Sequence, residues 1–209
     1  MPGDAGVPPY FDWSGSTNVA GVKVLYPAPT RMLEGGAEVI GYKHAVLFPV
    51  EVIPQDPRSP VALKLAVELG ICRDICVPAT AAFDLALPPA RKTVGKDAIA
   101  AAIERVPRPE RYRRPTDPAL RSIKLHRGES GARLTLGVSF HGRKNADVFV
   151  EAPDGLYVPM LRTEAKGADG ITRFGTELSD DLVRDLKGKT LTFTLVSEAG
   201  ALENKWTFP

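Results

Sequence analysis

Two cysteines, Cys72 and Cys76, stand between two stretches in which apolar residues recur at every second position. On one side Val61, Leu63, Leu65 and Val67 alternate with Ala62, Lys64, Ala66 and Glu68; on the other, Phe83, Leu85 and Leu87 keep step across Ala81 to Leu87. Successive side chains of a strand point to opposite faces, so this period predicts two half-buried strands. The cysteines then fall in the connection between neighbouring strands. On a regular strand, residues this far apart would be separated by ~13 Å, beyond the ~7 Å of Cα separation that a disulfide spans. The chain has to turn back between them if they are to bond.

The same period recurs through most of the chain. Val19 to Tyr26, Val39 to Tyr42 and His44 to Ile53 (edged at Pro49) predict further strands in the first half, with a turn at Glu34-Gly35-Gly36. Residues 1–16 read as an extended arm carrying Phe11 and Trp13. One segment has helical spacing: Val94 to Val106, with Ile99, Ala102, Ile103 and Val106 on one side. Arg105 to Pro118 is dense in proline and arginine and predicts a linker. Strands are then expected at Arg121 to His126, Ala132 to Phe140, Ala146 to Glu151, Leu156 to Arg162, Ile171 to Glu177, Thr190 to Val196 and Leu202 to Phe208. A short helix from Ser179 to Leu186 has Ser179 as its N-cap and Asp180 and Asp181 in its first turn. Short strands at regular spacing, with 19 glycines and 19 prolines in 209 residues, predict an all-β chain whose second half is a β-sandwich. The expected organisation is a first domain over 1–90, a helix and linker over 91–117, and a second sandwich over 118–209.

Composition narrows the function classes. Twenty-seven basic against 25 acidic residues leave a formal charge of +2, too small a surplus to argue for nucleic acid or an anionic membrane. No apolar run approaches the ~18 residues of a membrane helix. His44, His126 and His141 are scattered, with no zinc spacing to the cysteines. No nucleophile elbow is present, and Gly167-Ala168-Asp169-Gly170 is a turn without the Lys-Ser/Thr of a phosphate loop. The arginines of 105–114, with Glu104 and Glu110 among them, read as a solvated linker. The cysteine pair is therefore the one constellation that carries chemistry. No cofactor is called for. Copper(I) stays as a side reading because two thiolates suit a soft ion.

A bond across so small a ring stabilises a fold by roughly 2 kcal/mol in the chain-entropy model, against about 4.7 for a long loop. That favours a bond that opens and closes over a passive hairpin staple, but spacing alone leaves both open. Arg73 would favour a thiolate at either sulfur and Asp74 would oppose it.

The stretch Ile40-Gly41-Tyr42-Lys43-His44-Ala45-Val46-Leu47-Phe48-Pro49-Val50-Glu51-Val52, followed by Gly70-Ile71-Cys72-Arg73-Asp74-Ile75-Cys76-Val77-Pro78, resembles the periplasmic N-terminal domain of the DsbD and ScsB disulfide reductases. The three-residue spacer resembles the ScsB type and related stand-alone proteins. Phe11-Asp12-Trp13-Ser14-Gly15-Ser16 and Tyr26-Pro27-Ala28-Pro29 fit as well, so the likeness covers roughly residues 2–90. It implies an immunoglobulin-like fold in each β domain and a redox pair at Cys72 and Cys76, flanked by Arg73, Asp74 and Tyr42. It also implies electron transfer, through mixed disulfides, between a membrane-embedded reductase domain and thioredoxin-fold or other periplasmic proteins. Which cysteine attacks first is left open. Members shield the pair with an aromatic cap loop; the matching stretch here, Arg31 to Glu38, has no aromatic residue, leaving Tyr42 or Tyr26 as candidate shields. The ScsB group is associated with copper tolerance. The opening Met1-Pro2-Gly3-Asp4 reads as the inside of a loop, and the resemblance implies a signal sequence upstream. The rival expectation is a two-domain binding or scaffold module with a structural disulfide.

Overall fold

The computed structural model describes residues 8–34, 36–72, 75–89, 95–129, 131–142 and 144–209. It is mostly strand and divides into two compact units, one ending at Glu104 and the other beginning at Arg105.

The first unit runs β1 (Tyr10–Asp12), β2 (Val19–Val24), β3 (Thr30–Glu34), β4 (Ala37–Gly41), β5 (Val50–Pro54), β6 (Val61–Cys72), β7 (Cys76–Leu87) and α1 (Lys96–Glu104). β6 and β7 form a long antiparallel hairpin, in register from Val61 opposite Leu87 to Cys72 opposite Cys76. β1 lies along the other side of β6, opposite Ala66–Glu68, so β7 is one edge strand of a β1-β6-β7 sheet. β2 pairs with β5 and β3 with β4, both antiparallel. The alternation seen in the sequence has its expected result on β6: Val61, Leu63 and Val67 are buried while Ala62, Lys64, Ala66 and Glu68 are exposed. Phe48 is the centre of an aromatic cluster, with the rings of Phe11, Tyr26 and Tyr42 edge-on at 5.5, 5.5 and 5.3 Å. Asn18, at φ +58°, ties the 55–60 loop down. Its Nδ2 donates to the carbonyls of Asp56 and Ser59 at 2.9 and 3.0 Å, and its Oδ1 accepts the Asp56 N–H at 2.8 Å.

The second unit is a sandwich of two four-stranded sheets. It runs β8 (Arg108–Pro109), a 3₁₀ turn (Glu110–Tyr112), β9 (Ala119–Gly128), β10 (Gly131–Ser139), β11 (Asp147–Glu151), β12 (Arg162–Lys166), β13 (Ile171–Leu178), α2 (Asp180–Leu186), β14 (Thr190–Ser197) and β15 (Gly200–Thr207). The sheets are ordered β12-β13-β10-β9 and β11-β14-β15-β8. One core joins them: Leu134, Leu136 and Val138 of β10, Phe174 of β13, Leu191, Phe193 and Leu195 of β14, and Leu202 of β15, all essentially inaccessible. Each such side chain contributes about 1.5–3 kcal/mol on leaving water. Ser179 caps α2 by accepting the Leu182 N–H at 3.3 Å, as its sequence predicts.

Several boundaries differ from expectation. The segment read as a linker is strapped to the second unit. β8 pairs in parallel with β15 at Leu202 and Glu203. The Arg108 guanidinium holds Asp117, which is fully buried and also accepts the Arg114 N–H at 2.7 Å. The strand expected at Leu156 to Arg162 is irregular; Pro159 has no N–H to give a ladder, although Val158 and Leu161 still fill the core. The strand comes later, as β12, wholly exposed and charged, as befits a sheet edge. In the first unit, β1 and β3 were not expected as strands, β5 begins only after Pro49, and β7 reaches back to Cys76. The helix starts at Lys96; Val94 lies outside the described residues, as do residues 1–7 and Gly35 of the predicted turn.

Candidate functional site

Cys72 ends β6 and Cys76 begins β7, so the hairpin itself brings them face to face. They are disulfide-bonded, with Cα atoms 4.0 Å apart. The geometric demand read from the sequence, that the chain turn back between them, is met because the two strands stop at the cysteines. Both are half-buried.

Alternation places the bridge. Along β6, Cys72 shares a face with Gly70, Glu68, Ala66 and Lys64, and along β7, Cys76 shares it with Pro78, Thr80, Ala82 and Asp84. This is the open face of the sheet; apart from half-buried Gly70 and the two cysteines, every one of these residues is exposed. Gly70 and Pro78, directly opposite each other beside the bridge, carry no long side chain. The charges on this face lie further along: Glu68, then Lys64 with Asp84 at 3.9 Å. Asp12 of β1, opposite Ala66, also belongs to it; the Ser14 N–H, donating at 2.8 Å, holds that carboxylate below its ordinary range.

The expected flanking residues are distributed as follows. Arg73 and Asp74 lie outside the described residues. Tyr42 donates its hydroxyl to the Pro27 carbonyl at 2.8 Å and packs on Phe48. Tyr26 joins the same cluster, whose Phe11 stands opposite Val67 on the buried face of β6. The cluster is thus anchored on the face of the sheet that points away from the bridge. The aromatic residue that does share the cysteines' face is Tyr10, opposite Glu68 and 63% exposed. No sequence signal marked it, because its face is set by pairing with Glu68 of β6, 58 residues on. Around the tip of the hairpin, Ile71, Ile75 and Val77 are 61, 74 and 51% exposed. Among the described residues no group of three or more His, Cys, Asp and Glu side chains comes together as a metal site, and no helix is long and apolar enough to cross a membrane.

Chemically, a dithiol–disulfide couple on an open face can be entered by an external thiolate, which takes one sulfur and releases the other. Residues 5–88, which include both cysteines, match the family model described as "Thiol:disulfide interchange protein DsbD, N-terminal". No curated protein and no solved structure matches the chain.

Proposed function

From the match of residues 5–88 to the family model of DsbD N-terminal domains, we propose that the chain is a periplasmic thiol–disulfide exchange protein working through Cys72 and Cys76. The observation that carries the reading is the position of the bridge: at the end of a hairpin, on the open face of its sheet, beside Gly70 and Pro78. A bond kept only as a staple gains nothing from an open face; a bond that is to be exchanged requires it, because the attacking thiolate must reach a sulfur.

The exchange balances as follows. A partner thiolate attacks one sulfur of the bridge, the Cys72–Cys76 bond breaks, and a mixed disulfide forms while the other cysteine leaves as a thiolate. The partner's second thiolate then attacks the mixed disulfide. The partner departs oxidised and the chain holds two thiols, having gained two electrons and two protons. The reverse sequence hands those electrons to an oxidised partner. Thioredoxin-fold proteins on one side and a membrane-embedded reductase domain on the other are the partners this reading names. The second unit supplies no groups to the chemistry and serves to dock or orient.

Single variants Cys72→Ser and Cys76→Ser test it. One of them is expected to accumulate a mixed disulfide with a thioredoxin-fold protein, identified by mass after non-reducing electrophoresis. The wild-type bridge is expected to equilibrate with a glutathione buffer. If neither variant traps a partner and the bridge stays closed at potentials down to about −300 mV, the bond is structural.

A further inference from the structure

The hairpin that carries the bridge is not supported evenly along its length. β1 covers β6 only at Ala66, Val67 and Glu68, and Thr17 bridges to Ala62. Beyond Glu68, β6 has no strand on its outer side among the described residues, and β7 pairs with β6 alone. Leu69–Cys72 and Cys76–Ala79 therefore form a two-stranded arm that projects past its sheet. None of its residues is fully buried, with Ile71, Val77 and Pro78 exposed and the rest half-buried, whereas Val61, Leu63 and Val67 in the supported part are all buried. A two-stranded ribbon without a third strand or a packed face is marginal in water. The bridge closes this one at its end.

We propose that the Cys72–Cys76 bond is the latch of this arm, so that its reduction releases the arm while leaving the supported part of the sheet in place. Reduction by an external dithiol breaks the Sγ–Sγ bond. Two electrons and two protons pass to the cysteines, and the dithiol becomes its cyclic disulfide. The bond's entropic constraint on the hairpin's end is then lost, and the cross-strand pairs nearest the cysteines, Ile71 with Val77 and Gly70 with Pro78, open first. Exposed Ile71, Ile75 and Val77 move with them, so the protein presents a fixed apolar tip when oxidised and a loose one when reduced. Nothing in this depends on which protein exchanges electrons with the site.

Amide hydrogen exchange on the full chain tests it, in three samples: oxidised wild type, wild type reduced with dithiothreitol, and the Cys72→Ser/Cys76→Ser double variant without reductant. The amides of Leu69, Ile71, Val77 and Ala79 are expected to exchange roughly tenfold faster or more in both bond-free samples, with Ala62–Val67 and Ala81–Ala86 unchanged. Equal protection of the arm in all three samples overturns the proposal. So does acceleration spread evenly through Ala62–Val67 and Ala81–Ala86, because the bond would then be holding the whole unit. A difference between the reduced protein and the double variant also overturns it, since the effect would belong to the reagent or the serines.

Discussion

Gly70 and Pro78 border, on the cysteines' own face, the path by which another protein's sulfur would approach the bridge. A bulky side chain placed at exposed Pro78, on the same face as Cys76, is expected to stand in that path. Pro78→Tyr should slow reduction by glutathione on the order of tenfold while circular dichroism stays unchanged. A second residue-scale prediction concerns Asp117. Burial pushes its carboxyl up, but hydrogen bonds from Arg108 and the Arg114 N–H, with the charges of both arginines, outweigh that and hold it below the ordinary range. A carboxylate lowered in the folded state lends stability above its unfolded pKa of about 3.9 and loses it as pH falls through the folded value. The second unit should therefore weaken below about pH 4. Asp117→Ala should cost about 3 kcal/mol at pH 7, since it takes the buried carboxylate away from half-buried Arg108, and should flatten the acid limb of a denaturant titration. That Cys72 and Cys76 could meet was legible in the sequence because the two alternating stretches end at them. Asp117 and Asn18 were not: Asn18 meets Asp56 38 positions away, and a polar residue in a turn gives no hint of such a partner.

Among the elements, β6 was the most readable, since a clean period of two leaves one choice of face; β7 forms beside it as expected, but its Phe83 and Leu85 stand exposed, so its period did not mark a buried face. β1 was not readable, because three residues cannot show a period, and its strand character comes from pairing with β6. The failure at Leu156 to Arg162 has a similar cause: apolar residues there do enter the core, but through an irregular segment that Pro159 keeps out of a ladder. The aromatic cluster on Phe48 was visible as four separate rings and assembled only by the fold. Phe48 touches three of them, so Phe48→Ala should destabilise the first unit by about 2–3 kcal/mol, read from urea unfolding of the oxidised chain. The Tyr42 hydroxyl, bonded to Pro27, should be worth about 1 kcal/mol in Tyr42→Phe, and the rate of thiol exchange should not change, because the cluster is anchored on the far face.

At the scale of the whole molecule the two units are built differently. The second has a deep, continuous core, and the first divides its burial among three small sheets and a ring cluster. Phe193→Ala should accordingly cost about 3–5 kcal/mol in the second unit without altering reduction of the bridge, a pairing of results that equilibrium unfolding and a glutathione titration together would check. The edge position of β7 has a cost of its own. From Ala79 to Leu87 this strand bears a single charge, Asp84, while Phe83 and Leu85 stand 58 and 55% exposed. Among the described residues no strand pairs with its outer edge; such a margin is a template onto which another extended chain can crystallise, and a charge within it, here Asp84, opposes fibrillar stacking. Asp84→Val should bring concentration-dependent light scattering at protein levels where the parent stays clear.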